Sequence, residues 1–149
     1  MQQRKIPKGT FWIGAFCGAV LGIPLLTLML SVFEPRVSLS IIFFHAAGFA
    51  GVPALVTTGG VARWIAHRLA DGDRPPSVGL ALRISAPALA VAGAGWAILV
   101  LIPLGPPVPL SWGPAIVGGA AAGIVTAAAM TVLVGVRQKR HTEESPPAS

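Results

Sequence analysis

Charged residues are scarce in this 149-residue chain, at 11% of the sequence, whereas soluble domains approach about a quarter. Hydrophobic residues make up 54%. So little charge leaves too few hydrated side chains to cover an ordinary soluble domain. We therefore expect the chain to be solvated mostly by lipid.

Carboxylates and cysteine are scarcer still. The sequence has five acidic residues, and none of them lies in the centre of an apolar stretch. An ion-coupled transporter usually needs such a group within the membrane, and an enzyme needs a nucleophile with its base, a carboxylate pair or a metal cluster. We therefore predict no enzymatic activity, no cofactor and no metal site. The single cysteine, Cys17, excludes an intramolecular disulfide and is interpreted as a small packing residue.

The sequence is rich in long apolar stretches, each of the length of a membrane-spanning helix, which needs ~20 residues. We name them segments 1 to 4: residues 10–33, 39–66, 80–103 and 112–136. They predict an all-α fold, a polytopic membrane protein with four transmembrane helices in a compact bundle. Residues 1–9 are interpreted as a cytoplasmic N-terminal segment, and 137–149 as a disordered cytoplasmic tail. Segment 1 exceeds the roughly 7–15 apolar residues of a signal peptide, so it is predicted to be retained.

The placement of basic residues predicts the orientation of the chain. Ten of the eleven lie beside the ends of segments that share one side in a four-helix topology: Arg4, Lys5, Lys8, Arg63, Arg68, Arg74, Arg83, Arg137, Lys139 and Arg140. The two opposite loops hold only Arg36. The positive-inside rule makes the basic side cytoplasmic, with both termini there. We expect these residues to meet anionic lipid headgroups rather than nucleic acid. The abundance of alanine, glycine, proline and arginine suggests a bacterial cytoplasmic membrane.

Small residues recur every four positions in segments 1, 2 and 4, a spacing that lets helix backbones approach closely in lipid. The predicted packing residues are Gly14, Gly18, Gly22, Gly119 and Gly123. Two interpretations stay open. The strips either pack the bundle internally, or one of them docks a second copy of the chain or a larger membrane protein.

Segment 2 also contains His45, a titratable residue in an otherwise apolar stretch. It lies about 9 Å below Leu39 along a helix, short of the membrane midplane. Pro53 deprives the carbonyl of Phe49 of its donor, and Pro24 occupies a similar place in segment 1, so both helices are expected to kink. His45, Phe49, Pro53 and Pro24 are therefore candidates for a small polar cavity. His45 is expected to be neutral, either bonding a neighbouring helix or lining that cavity.

Three classes of function remain open. The favoured one is a non-enzymatic accessory or structural subunit of a membrane complex, acting through helix–helix association. The alternative is a small oligomeric channel or transporter, including a holin-like pore, with His45, Pro24 and Pro53 lining the path. A membrane enzyme, or an accessory subunit of one, is the least favoured. The sequence identifies no substrate and no particular partner.

Overall fold

A computed structural model describes residues 9–33, 35–70, 78–104 and 112–143 of the chain. Within these ranges the backbone is helical except at Gly9 and in the connection 35–38. The elements, in chain order, are α1 (Thr10–Cys17), the π-helical turn π1 (Gly18–Gly22), α2 (Ile23–Phe33), α3 (Leu39–His45), the π-helical turn π2 (Ala46–Ala50), α4 (Gly51–Ala70), α5 (Val78–Leu104) and α6 (Trp112–Glu143). Segments 1 and 2 are therefore each a helix with a π-helical turn inside it.

Among the described residues, four helices are long and apolar enough to cross a membrane. They are Thr10–Phe33, Leu39–Arg68, Gly79–Pro103 and Trp112–Arg137. The all-helical fold and the four long apolar helices are thus confirmed. Insertion and orientation remain predictions.

The helices extend further into polar sequence than predicted. α6 continues to Glu143, past the expected end at Val136, and α4 continues to Ala70. The stretch after Val136 contains arginine, glutamine and lysine, which are good helix formers, and no glycine or proline occurs in it before Pro146. The disorder expected from 137 onward stays a prediction. Residues 1–8 and 144–149 lie outside the described residues.

The four segments pack as neighbours in chain order. Segments 3 and 4 make the most extensive contact, followed closely by segments 1 and 2. Segment 2 also packs on segment 3, and segment 1 on segment 4, while the diagonal pairs touch least. The interior is filled by aliphatic side chains such as Leu26, Leu89 and Met130 and by the indole of Trp96.

Burial is uneven around this arrangement. Within its most apolar window, segment 2 is 28% buried, against 39% for segments 1 and 3 and 44% for segment 4. Several large apolar side chains of segment 2 face outward, including Phe44, Val52 and Val56. Segment 2 is thus the least buried of the four segments within these windows.

Candidate functional site

Segments 3 and 4 approach each other backbone to backbone. A Cβ added to Gly93 would collide with the carbonyl oxygen of Gly119, and one added to Gly119 would collide with that of Gly93. A Cβ on Gly123 would collide with the carbonyl oxygen of Leu89. Because a backbone carbonyl cannot rotate away like a side chain, these positions admit only glycine at this separation. The pair also shares a buried hydrogen bond between the hydroxyls of Ser85 and Thr131, at 3.0 Å.

Segments 1 and 2 also approach each other closely at glycines, but side-chain atoms make part of the contact. A Cβ on Gly14 would collide with the carbonyl of Thr58 and would lie 2.5 Å from the Cβ of Ala62. At Gly18 the obstacles are the hydroxyl of Thr58 and, at 2.9 Å, the carbonyl oxygen of Ala54. The structure therefore places the predicted strip of segment 1 against segment 2 of the same chain.

Gly22 is different, because it faces a side chain rather than a backbone. Its absent Cβ would lie 3.5 Å from Cζ3 of Trp96 and 3.5 Å from Oγ1 of Thr126, which are ordinary van der Waals distances. Trp96 is 2% exposed. Its ring reaches from segment 3 to segments 1 and 4, and its Nε1 has no hydrogen-bond acceptor among the described residues. Gly22 therefore lies beside the indole at a distance that would admit a Cβ, and it mediates no close backbone approach.

The sequence reasoning missed the contribution of segment 3. Gly93 lies four residues after Leu89 and four before Ala97. Because leucine is large, this spacing did not count as a small-residue pattern. The contact at Leu89 uses its carbonyl oxygen, so the size of its side chain does not prevent the approach.

Gly59, in segment 2, is a further packing glycine that the sequence analysis did not predict. It packs on the ring of Phe11, and a Cβ there would lie 2.6 Å from Cε2 of that ring.

Pro24 and Pro53 each follow a π-helical turn, whereas Pro87 lies inside α5 without one. A proline ring crowds the carbonyl four residues earlier and offers no N–H to it. In segment 1 the N–H of Ile23 donates to the carbonyl of Gly18, five residues earlier, just before Pro24. π2 likewise ends three residues before Pro53 and includes Phe49. The wider turn accommodates the proline ring, so the feature at each predicted kink is a π-helical turn.

His45 ends α3 and directly precedes π2. Its Nδ1 lies 2.8 Å from the carbonyl oxygen of Ile41. Since a carbonyl only accepts, Nδ1 carries the proton in this bond, and in the neutral ring Nε2 is left as an acceptor. The imidazole stacks on the ring of Phe49, with centroids 5.9 Å apart and planes at 27°. His45 and Phe49 therefore meet through their rings, and the carbonyl that the histidine binds belongs to Ile41.

A shallow groove of about 370 Å³ lies between segments 1 and 2, at the end away from most of the basic residues. Its walls are formed by Pro24, Thr27 and Leu28 of α2 and by Leu39, Ser40, Phe43 and Phe44 of α3. The hydroxyl of Thr27 donates to the carbonyl of Ile23 at 2.9 Å, so this wall is almost wholly apolar. Of the four residues predicted for a polar cavity, Pro24 lines the groove, whereas His45, Phe49 and Pro53 are not part of its wall.

The described basic residues gather at the opposite end of the molecule. Arg63, Arg68, Arg83, Arg137, Lys139 and Arg140 are all exposed there. The guanidinium of Arg68 lies over the ring of Trp64, 5.7 Å from its centroid. Arg137 lies beside Gly9, which brings the end of α6 to the start of α1. Arg4, Lys5, Lys8 and Arg74 lie outside the described residues, and Arg36 is exposed at the far end.

Comparison with protein families, with curated proteins and with solved structures finds no match to this chain. The class of the protein is therefore defined by its own geometry. Its described residues are almost all helical, and four of their helices are long and apolar enough to cross a membrane, as expected of a multi-pass membrane protein.

Proposed function

We propose that this chain is a small integral protein of a bacterial inner membrane, with both termini cytoplasmic. In this proposal it acts without catalysis, through helix–helix association, as an accessory or structural subunit of a membrane complex. Six of the described basic residues are exposed at one end of the molecule, which supports the orientation by the positive-inside rule. Those residues would also contact anionic headgroups of the inner leaflet.

The observation that carries the proposal is the outward face of segment 2. Gly48 and Gly60 lie on it, and a Cβ added to either would meet nothing within 4 Å. Between them Val52 and Val56 are exposed at the same four-residue spacing. Several other glycines, such as Gly14, lie where another helix approaches. Because small residues permit such an approach in lipid, this face supports docking of a transmembrane helix of a larger protein.

Native mass spectrometry of the chain, extracted gently from its own membrane with its neighbours, tests the proposal. We expect a complex with a larger membrane protein, and we expect Gly48→Leu or Gly60→Leu to weaken it. Gly95→Leu is the matched control, because a Cβ at Gly95 also meets nothing within 4 Å but lies on segment 3. A chain found alone, or equal retention of the partner by all three variants, would contradict the proposal.

The orientation has its own test. An alkaline phosphatase fused after Ser149 is expected to be inactive, because that enzyme folds only outside the cytoplasm. The same enzyme inserted at Arg36 should be active. Strong activity of the C-terminal fusion would overturn the proposed orientation.

The alternative function, a small oligomeric channel or transporter, is favoured by the two π-helical turns. Such turns occur frequently at functional sites, and π2 begins directly after His45. In this alternative the Nε2 of His45, with Pro24 and Pro53 nearby in their segments, would line the path of an oligomer. His45→Ala should then lower flux into proteoliposomes, while His67→Ala, at the basic end, should not. Unchanged flux in both variants would exclude a role for His45.

A further inference from the structure

Arg36 has no part in the proposed orientation or association, and it lies beside the groove between segments 1 and 2. It is exposed in the connection 35–38, which joins the two helices that form the groove walls. Leu39 of the wall follows it by three positions, so its backbone lies within about 10 Å of that wall. Val37, between them, packs against the core and holds the connection to the bundle.

Polarity changes along the groove in one direction. At its mouth, near the helix ends, Ser40 lines the wall and its hydroxyl lies 3.2 Å from that of Ser38. Deeper along the helices the walls are Pro24, Phe43 and Phe44. Leu28 and Leu39 are more than half exposed, so the groove is open sideways rather than enclosed. Arg36 and the hydroxyls of Ser38 and Ser40 thus belong to the same end of the apolar groove.

We propose that this groove holds one anionic glycerophospholipid, with an acyl chain between α2 and α3 and its phosphate on Arg36. The proposal rests on the membrane insertion proposed above. A guanidinium binds phosphate oxygens in a bidentate manner, and serine hydroxyls at the mouth can donate to the same group. The volume of about 370 Å³ falls within the ~300–1,000 Å³ of small-molecule sites. The sideways opening lets the lipid enter from the bilayer.

The site would be separate from the inner basic end, because Arg36 lies at the opposite end of the helices. At the basic end several exposed cations are available to headgroups, including Arg63, Arg68 and Arg83. At Arg36 a single cation is paired with a groove. We therefore expect one retained lipid at this site, dependent on both the charge and the groove wall.

The test is native mass spectrometry of the full chain in detergent, titrated with phosphatidylglycerol or, separately, with phosphatidylcholine of the same acyl chains. We expect one tightly held phosphatidylglycerol, retained at least several-fold better than phosphatidylcholine. Arg36→Gln should abolish the preference, and Phe44→Ala should reduce retention of both lipids. Phe44 is 74% exposed, so its removal should not disturb the core. Glu34→Gln, which removes the one acidic residue of this loop, should raise retention of the anionic lipid.

Arg63→Gln and Phe16→Ala are the matched controls, since both residues are exposed near the other end of the molecule. Equal retention of phosphatidylglycerol by the native chain, Arg36→Gln and Phe44→Ala would overturn the proposal. A homodimer in place of the lipid adduct, lost on Phe44→Ala, would also overturn it by assigning the groove to a second copy. Gly48→Leu should leave lipid retention unchanged, so failure of partner association and failure of lipid binding are distinguishable.

Discussion

The two helix pairs of this molecule, segments 3 and 4 and segments 1 and 2, pack through different kinds of contact. Segments 3 and 4 each form one uninterrupted α-helix and meet at Gly93, Gly119 and Gly123, with backbone against backbone. Segments 1 and 2 each contain a π-helical turn, and their contact at Gly18 is partly with the hydroxyl of Thr58. The second pair also carries His45, the groove and the open face of segment 2. His45, the groove and the open face, none of which packs the bundle, thus lie in the pair whose helices contain π-helical turns.

The largest expected effect comes from removing the side chain that links the two pairs. Trp96 reaches from segment 3 to Gly22, and Trp96→Ala should lower the free energy of unfolding by about 3–5 kcal/mol. Unfolding by a denaturing detergent, followed by circular dichroism, measures this. Trp96→Phe keeps most of the ring and removes an N–H without an acceptor among the described residues, so its cost should be far smaller. Equal losses for both variants would contradict the expectation that packing of the ring carries the stability.

Close backbone contact in the pair of segments 3 and 4 gives the next largest effect. Gly93→Ala forces a methyl group against the carbonyl of Gly119 and should destabilise the protein by about 1–3 kcal/mol. Gly95→Ala, two residues away, meets nothing within 4 Å and should be neutral or slightly stabilising, because alanine favours helices. The same unfolding assay compares them. Similar stabilities of the two variants would refute the backbone contact.

The corresponding change in the pair of segments 1 and 2 should cost less. Gly18→Ala meets the hydroxyl of Thr58, a side-chain atom, and the carbonyl of Ala54 at 2.9 Å. We expect a loss of about 1 kcal/mol, at the low end of overpacking effects. Gly51→Ala is the control, with its nearest neighbour, Cδ1 of Ile23, at 3.8 Å. A loss at Gly18 as large as that at Gly93 would remove the distinction between the two pairs.

The smallest expected effect concerns the hydroxyl pair Ser85 and Thr131. Hydrogen bonds between transmembrane helices average about 0.6 kcal/mol in double-mutant cycles. Ser85→Ala, Thr131→Val and the double variant should therefore give a coupling free energy of about that size in the unfolding assay. Strictly additive losses would mean that the 3.0 Å contact contributes no specific stability.

A good part of the candidate site was predictable from local spacing. Gly14, Gly18, Gly119 and Gly123 were predicted to pack, and each lies where an added Cβ would collide with a neighbouring helix. The packing role of Gly93 was not predicted, because Leu89 lies at the same four-residue spacing and has a large side chain. The contact is made by the carbonyl of Leu89, which side-chain size does not reveal. Gly22 was grouped with the others by spacing alone, although its neighbour is the ring of Trp96.

By itself, the sequence determined how many long apolar helices form and where most of them begin and end, because helix length and hydropathy are local properties. It also determined that basic residues lie at one end, since chain order and segment number decide which ends coincide. Tertiary structure decided the rest. It selected which glycines meet backbone and formed a π-helical turn before Pro24 and before Pro53. It also stacked the ring of His45 on Phe49 and opened the groove between segments 1 and 2. These outcomes depend on which atoms of distant residues come into contact, and no local pattern contains that information.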